Sequence, residues 1–256
     1  VLGLVLLTGV GGMTSFGQAA LVGIGAYSTA YLTVTEQLPQ FLMWTGGSPW
    51  AGLILGIILT VVSAFLVGGL TLKLSGHYLP LGTIAWGISL YYFFSTIESL
   101  GGHSGISNIP SISIAGYALD TSNKMFYLIW LILFVAIILT KNLLNSREGR
   151  AIRALKGGQV MAESMGVNTF RSKMVVFIIS SVFASISGWL YAHNQSFINP
   201  TPFGLQMGID YLFMALLGGV GSIWGAIFGA GIFTMMRQWL QDLMPIIFGN
   251  DGQYET

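Results

Sequence analysis

The 256-residue chain has no cysteine, and only 7% of its residues are charged. The first absence excludes disulfides, iron–sulfur clusters and thiolate zinc sites. The second excludes a soluble globular domain, which carries about 25% charged residues. Histidine is scarce too: His77, His103 and His193 share no ligand spacing, so no metal site is expected. No glycine-rich phosphate loop of the G-x-x-x-x-G-K type occurs, so ATP hydrolysis would have to come from a separate chain. No two carboxylates stand at close helical spacing inside an apolar run, which leaves an intramembrane enzyme without an acid–base pair. A net charge of +1 argues against a nucleic-acid partner, and nothing calls for a cofactor.

What is abundant is apolar sequence: 54% hydrophobic residues, a mean hydropathy of +0.75 and 35 glycines. The chain reads as an integral membrane protein, with glycine allowing close helix contact in lipid. Four windows approach the roughly 20 residues that a spanning helix needs: 51–72, 79–97, 125–144 and 174–192. None alternates like a barrel strand, so the expected fold is all-α, a polytopic transmembrane bundle forming a single domain over 1–256.

The two ends are less regular. Residues 1–34 are interrupted by Gly9, Gly11, Gly12, Thr14, Ser15, Gly17 and Gln18, and residues 209–236 by Gly218, Gly219, Gly221, Ser222 and Gly225. Both read as broken or closely packed helical segments. They also resemble each other: LLTGVG at 6–11 matches LLGGVG at 216–221, and Phe16-Gly17 matches Trp224-Gly225 after a two-residue length difference. A possible internal repeat follows, of the kind that builds transporter sites near the midplane from interrupted helices. Broken helices free backbone polar groups, which a membrane tolerates where they line a cavity or are paired again. Ser15, Gln18, Gly218, Gly219 and Ser222 are therefore candidate substrate-path residues; cross-helix hydrogen bonding is the plainer alternative for each.

Charge sets the expected orientation. Residues 141–173 hold seven of the ten Lys and Arg against two acids, a net +5, which leaves −4 for the remainder. Basic connectors stay on the cytoplasmic side. Loop 145–173 is thus expected inside, and loops 35–50, 98–124 and 193–208 outside. Arg237 is expected to snorkel toward the inner face. Asp210 opens the last glycine-rich segment, where an intramembrane acid is a functional candidate by default. The tryptophans, Trp44, Trp50, Trp86, Trp130, Trp189, Trp224 and Trp239, are expected to anchor or pack.

Within the basic loop, Arg147, Arg150 and Arg153 recur every three residues and share one helix face, with Ile152 and Leu155 on another. After Gly157-Gly158, residues 160–165 form a second short helix with Gly166 as its cap. Met161 and Met165 make an adaptable apolar stripe suited to a partner's groove. Anchoring to anionic lipid is the alternative.

Four segments carry a family resemblance. The stretch GRAIRALKGGQVMAESMGVNTFRSKMVVFIISSVFASISGWLYAH at 149–193 resembles the LivM-type permeases of branched-chain amino-acid ABC transporters. So do GGMTSFGQAALVGIGAY at 11–27, GGHSGISNIP at 101–110 and YLFMALLGGVGSIWGAIFGAG at 211–231. The resemblance implies a bacterial inner-membrane permease subunit working by alternating access. It implies a LivH-like second permease subunit, ATPase subunits and an extracytoplasmic solute-binding protein as partners. Loop 145–173 would engage the ATPase, with Glu163 and Gly166 on the Glu and Gly of an EAA-like motif and Ser164 where Ala is usual. The family usually has more apolar sequence before the first glycine-rich segment and a span after the last, so a chain that opens at Val1 inside an apolar run is expected to lack both. Relatives that carry urea or short amides keep the substrate open, and a facilitative channel or secondary transporter without ATP is the other reading.

Overall fold

We describe a computed structural model over residues 1–34, 47–73, 78–114 and 117–248, with side chains as far as Leu243. Glu36, Trp44 and His77 lie outside the described residues. Helix α1 (Leu2–Leu4) runs into a π-helical stretch, Val5–Val10. Then follow α2 (Gln18–Val34), α3 (Pro49–Thr71), α4 (Tyr78–Thr96), α5 (Ser122–Asn145), α6 (Arg147–Lys156), α7 (Gln159–Ser164), α8 (Thr169–Gln195), α9 (Leu205–Leu217) and α10 (Ile223–Phe248). Among the described residues, strand is confined to two-residue pieces: β1 (Ile106–Ser107) pairs antiparallel with β4 (Phe197–Ile198), and β2 (Ser113–Ile114) with β3 (Tyr117–Ala118). The protein is an all-α polytopic membrane bundle.

Each expected span is a helix. Three are long and apolar enough to cross a membrane by length and composition: α3, α5 and α8. α4 has a suitable length, but Gly82, Thr83, Gly87 and its aromatic end leave it less apolar. Exposed Phe65, Leu66 and Leu70 on α3, and Leu131, Phe134 and Leu139 on α5, are the surface that a lipid-facing helix presents.

α2 sits at the centre. Fourteen of its 17 residues are buried, so it has no lipid face. Such an all-round apolar helix belongs inside a bundle. It packs against α3 and α8 through glycines: a Cβ on Gly25 would come within 2.6 Å of the Ser185 Cα, and one on Gly52 within 3.1 Å of the Thr29 Cα. Small residues are what allow this backbone approach in lipid.

Both glycine-rich ends are broken as expected. The first breaks between Val10 and Gln18, with Gly12 at φ +67°. The second breaks between Leu217 and Ile223, with Gly219 at +92° and Gly221 at +93°. The breaks touch each other, since a Cβ on Gly9 would come within 2.6 Å of the Gly221 Cα. α10 folds back on α9, with Gly218 against Gly225 and Gly229 against Met214.

At the end opposite the basic loop, the connector after α4 is strapped to α3 and α8. The Ile109 amide donates to the Ser196 carbonyl at 3.2 Å. His193 Nδ1 lies 2.6 Å from the Pro110 carbonyl oxygen and so carries the proton. Trp189 is fully buried and donates to the Pro49 carbonyl at 2.8 Å, while Trp50 lies against it and donates to the Ser113 carbonyl at 2.9 Å.

Candidate functional site

The polar loop between α5 and α8 is a folded platform. Ser146 starts α6: its hydroxyl accepts from the Gly149 amide at 3.2 Å and donates to the Leu143 carbonyl at 2.6 Å. Gly149 is required because a side chain there would overlap the last carbonyls of α5. Ile152 and Leu155 are buried under α6, as the spacing implied. Arg153 Nη2 donates to the Leu144 carbonyl at 2.6 Å, and Arg150 Nη1 to the Asn145 carbonyl at 3.4 Å. Both guanidiniums thus satisfy orphan carbonyls at the end of α5.

The short second helix forms as α7. Gly166, at φ +79°, closes it in a Schellman motif: the Gly166 amide donates to the Glu163 carbonyl at 2.9 Å and Val167 to the Ala162 carbonyl at 3.0 Å. Ala162 faces inward, whereas Val160, Met161 and Met165 are exposed. The Met161–Met165 stripe therefore presents an apolar surface that no other part of the described residues covers.

Glu163 has an internal role. Its Oε1 accepts from Thr169 Oγ1 at 2.7 Å and from Gln159 Nε2 at 2.9 Å, and Lys173 Nζ donates to Gln159 Oε1 at 2.8 Å. These bonds pin α7 to the start of α8 and hold the Glu163 carboxyl below its ordinary pKa, the Thr169 hydroxyl contributing most. Between α6 and α8 opens a groove of about 540 Å³ lined by Arg147, Glu148, Arg150, Met165, Gly166 and Arg171, among others. Arg171 lies 3.8 Å from Glu148, the only acid in the lining. The groove is therefore basic with an apolar rim.

The other candidates fall into two places. Ser15 and Gln18 lie inside the bundle. Gln18 Nε2 donates to the Ser180 carbonyl at 2.9 Å, and its Oε1 accepts from Ser180 Oγ at 3.2 Å. The cavity beside Ser15 and Thr83 measures about 10 Å³, room for one water. Gly218, Gly219 and Ser222 form the turn between α9 and α10, where Ser222 Oγ accepts from the Gly225 amide at 3.1 Å. The two groups approach through the Gly9–Gly221 crossing and through Gly208, whose missing side chain lets α9 lie on the Phe16 carbonyl.

The structure joins two charged residues that the sequence leaves apart. Asp210 is the sixth residue of α9, and Arg237 lies on α10. Because α10 folds back along α9, Arg237 meets Asp210, with Nη1 3.3 Å from Oδ2. The signal for this lay in the turn glycines, which imply a hairpin, but the pairing spans 27 positions. Among the described residues no three of His, Cys, Asp and Glu gather as a metal cluster.

Several apolar helices around two glycine breaks, with a structured basic platform at one end, define a polytopic membrane protein built like a transport permease. The chain belongs to the family described as branched-chain amino acid transport system / permease component, whose model matches residues 1–250. It is 29% identical over 265 residues to the high-affinity branched-chain amino acid transport system permease protein LivM of Salmonella typhimurium, covering 94% of this chain and 60% of that one. The LivM protein of Escherichia coli gives the same figures. The LivH protein of Salmonella typhimurium is 28% identical over 241 residues, covering 89% of this chain and 76% of that protein. The chain thus spans about 60% of the length of the LivM relatives it matches. No solved structure matches it.

Proposed function

We propose that the protein is a permease subunit of a bacterial inner-membrane ABC importer for branched-chain or other hydrophobic amino acids, driven by alternating access. The platform α6–α7 carries the reading. A membrane bundle with no nucleotide site of its own gains nothing from an ordered cytoplasmic helix pair unless something docks there. Val160, Met161 and Met165 offer an apolar ridge, and Arg147, Arg150 and Arg171 a basic groove beside it. The occupant is the ATPase subunit, through an apolar segment bearing acidic residues. Glu163 and Gly166 set the angle of α7. Arg150 and Arg153 tie the platform to α5, so that motion of the motor reaches the bundle.

A LivH-like second permease chain and an extracytoplasmic binding protein complete the assembly. Loop 145–173 faces the cytoplasm, and Ser15, Gln18, Gly218, Gly219 and Ser222 flank the substrate path at the two breaks. The test is uptake of labelled leucine into proteoliposomes holding the full assembly. Uptake should need ATP and the ATPase chain, and should be competed by isoleucine and valine. Uptake without ATP would put the chain among facilitators, and competition by urea instead would move it to the short-amide carriers.

A further inference from the structure

α10 is 26 residues long, about 39 Å at 1.5 Å per residue, enough to cross a hydrocarbon core of about 30 Å. Yet it is not among the three helices apolar enough to cross on composition. The reason is a stripe: Thr234, Arg237, Gln238 and Gln241 follow the i, i+3, i+4, i+7 spacing of one helix face. The other side carries Phe228, Ile232, Met235, Trp239 and Leu243, all exposed. Arg237 falls 14 residues after Ile223, within the length of the helix, where it pairs with Asp210 of α9. Ionised groups within membrane helices are rare, and they line bundle interiors, water-filled cavities and solute pathways.

The pair itself is built for more than closing a hairpin. The Asp210 side chain is 13% exposed and that of Arg237 55%, so the guanidinium presents unused donors away from its partner. Gln206 Nε2 reaches Asp210 Oδ1 at 3.5 Å, adding an amide on the same face of α9. Inside the bundle the space beside Ser15 and Thr83 holds about 10 Å³, too little for an amino acid. The outer side of α9, along α10, is more open, and there the Arg237 side chain is 55% exposed.

We propose that the α9–α10 face bearing Gln206, Asp210, Arg237 and Gln241 lines the translocation path, and that Asp210 and Arg237 contact the ammonium and carboxylate of a zwitterionic solute. This rests on the importer reading above. The resting ion pair keeps both charges satisfied while the path is empty. A free α-amino acid carries the complementary charges on one carbon, so it replaces each partner at once. A solute with one charge leaves either Asp210 or Arg237 unpaired, which disfavours it against a zwitterion.

Absence of native cysteine allows a direct test in the assembled transporter. Single substitutions Thr234→Cys, Gln238→Cys and Gln241→Cys are compared with Ile232→Cys, Trp239→Cys and Leu243→Cys, using a charged, membrane-impermeant methanethiosulfonate reagent. The stripe should react at least 10-fold faster than the apolar side, and saturating leucine should slow it. Equal rates on both sides, an unreactive stripe, or no protection by leucine would each overturn the proposal. In parallel, Asp210→Asn and Arg237→Gln should raise the KM for leucine at least 10-fold while the protein stays in the membrane. The charge swap Asp210→Arg with Arg237→Asp should not restore it. A swap with the native KM would reduce the pair to a structural clamp. ATP-dependent uptake with a flat cysteine pattern sinks this inference alone; loss of ATP dependence sinks the importer reading instead.

Discussion

Gly188→Ala should be among the most damaging single-methyl additions in the bundle. Gly188 lies on α8 where it crosses α2. A Cβ there would overlap the Val22 carbonyl and come within 2.7 Å of the Ala26 nitrogen. Non-bonded contact begins near 3.5 Å, so the two helices must part by about 1 Å. α2 is enclosed on all sides, so the displacement loosens the Gly25–Ser185 approach and the Gln18–Ser180 bonds as well. Overpacking of this kind costs about 1–3 kcal/mol. The control is Gly69→Ala on α3, where a Cβ meets nothing within 4 Å. That change should stabilise by up to about 1 kcal/mol, because glycine is the poorer helix former. The difference between the variants is therefore about 1–4 kcal/mol. By the scaling for chains of this size it separates their melting temperatures by roughly 2–16 °C. Thermal denaturation of the purified protein in nanodiscs reads it directly. A Gly188→Ala variant that melts with the Gly69→Ala control would refute the packing argument and with it the central position of α2.

Three further outcomes test the platform and the first break. Met161→Glu with Met165→Glu should weaken ATPase association at least 10-fold in co-purification, since acids replace the exposed apolar ridge, while the permease melts unchanged. Glu163 has a depressed carboxyl pKa, so its contribution is fully present above the unfolded value and is lost as pH falls through the folded one. Amide protection over 159–167 should therefore hold at neutral pH and drop only on acidification below the ordinary glutamate range, and Glu163→Gln should remove that pH dependence. Gln18→Leu removes two buried hydrogen bonds to Ser180 and should cost about 1–3 kcal/mol, part of which Ser180→Ala should restore. Full stability of the single variant would count against that bond pair.

Much of the fold was legible because lipid imposes a single rule, that backbone polar groups be paired within helices. Apolar windows therefore located α3, α4, α5 and α8 within a few residues. Turn chemistry did the same for α7, where Gly166 takes a positive φ that other residues resist. Side-chain pairing across distance was not legible. Glu163 reads as a docking carboxylate until Thr169 and Gln159 are seen bonded to it. The pairing of Arg237 with Asp210 is hidden until the glycine turn sends α10 back along α9. The hydrogen bond of His193 to the Pro110 carbonyl is likewise set by the connector from Ile106 to Pro110, which pairs with the chain after α8. In each case the missing information was a contact made by tertiary geometry.

The two glycine breaks differ in a way that bears on how motion could travel. At the first, the chain re-enters the bundle: Gly17 lies against the Thr83 carbonyl, the Phe16 amide donates to Thr83 Oγ1 at 3.2 Å, and Gln18 begins a helix enclosed on all sides. At the second, Gly219 meets nothing within 4 Å, and Ser222 is exposed. The first break is therefore more enclosed than the second, and they touch where Gly9 meets Gly221. A Cβ on Gly12, three residues on, would lie 3.8 Å from the Lys156 Cα in the platform. The platform touches the π-helical stretch, and the π-helical stretch touches the α9–α10 turn at Gly9, so the three form one contiguous run of packed elements from α6 to the second break.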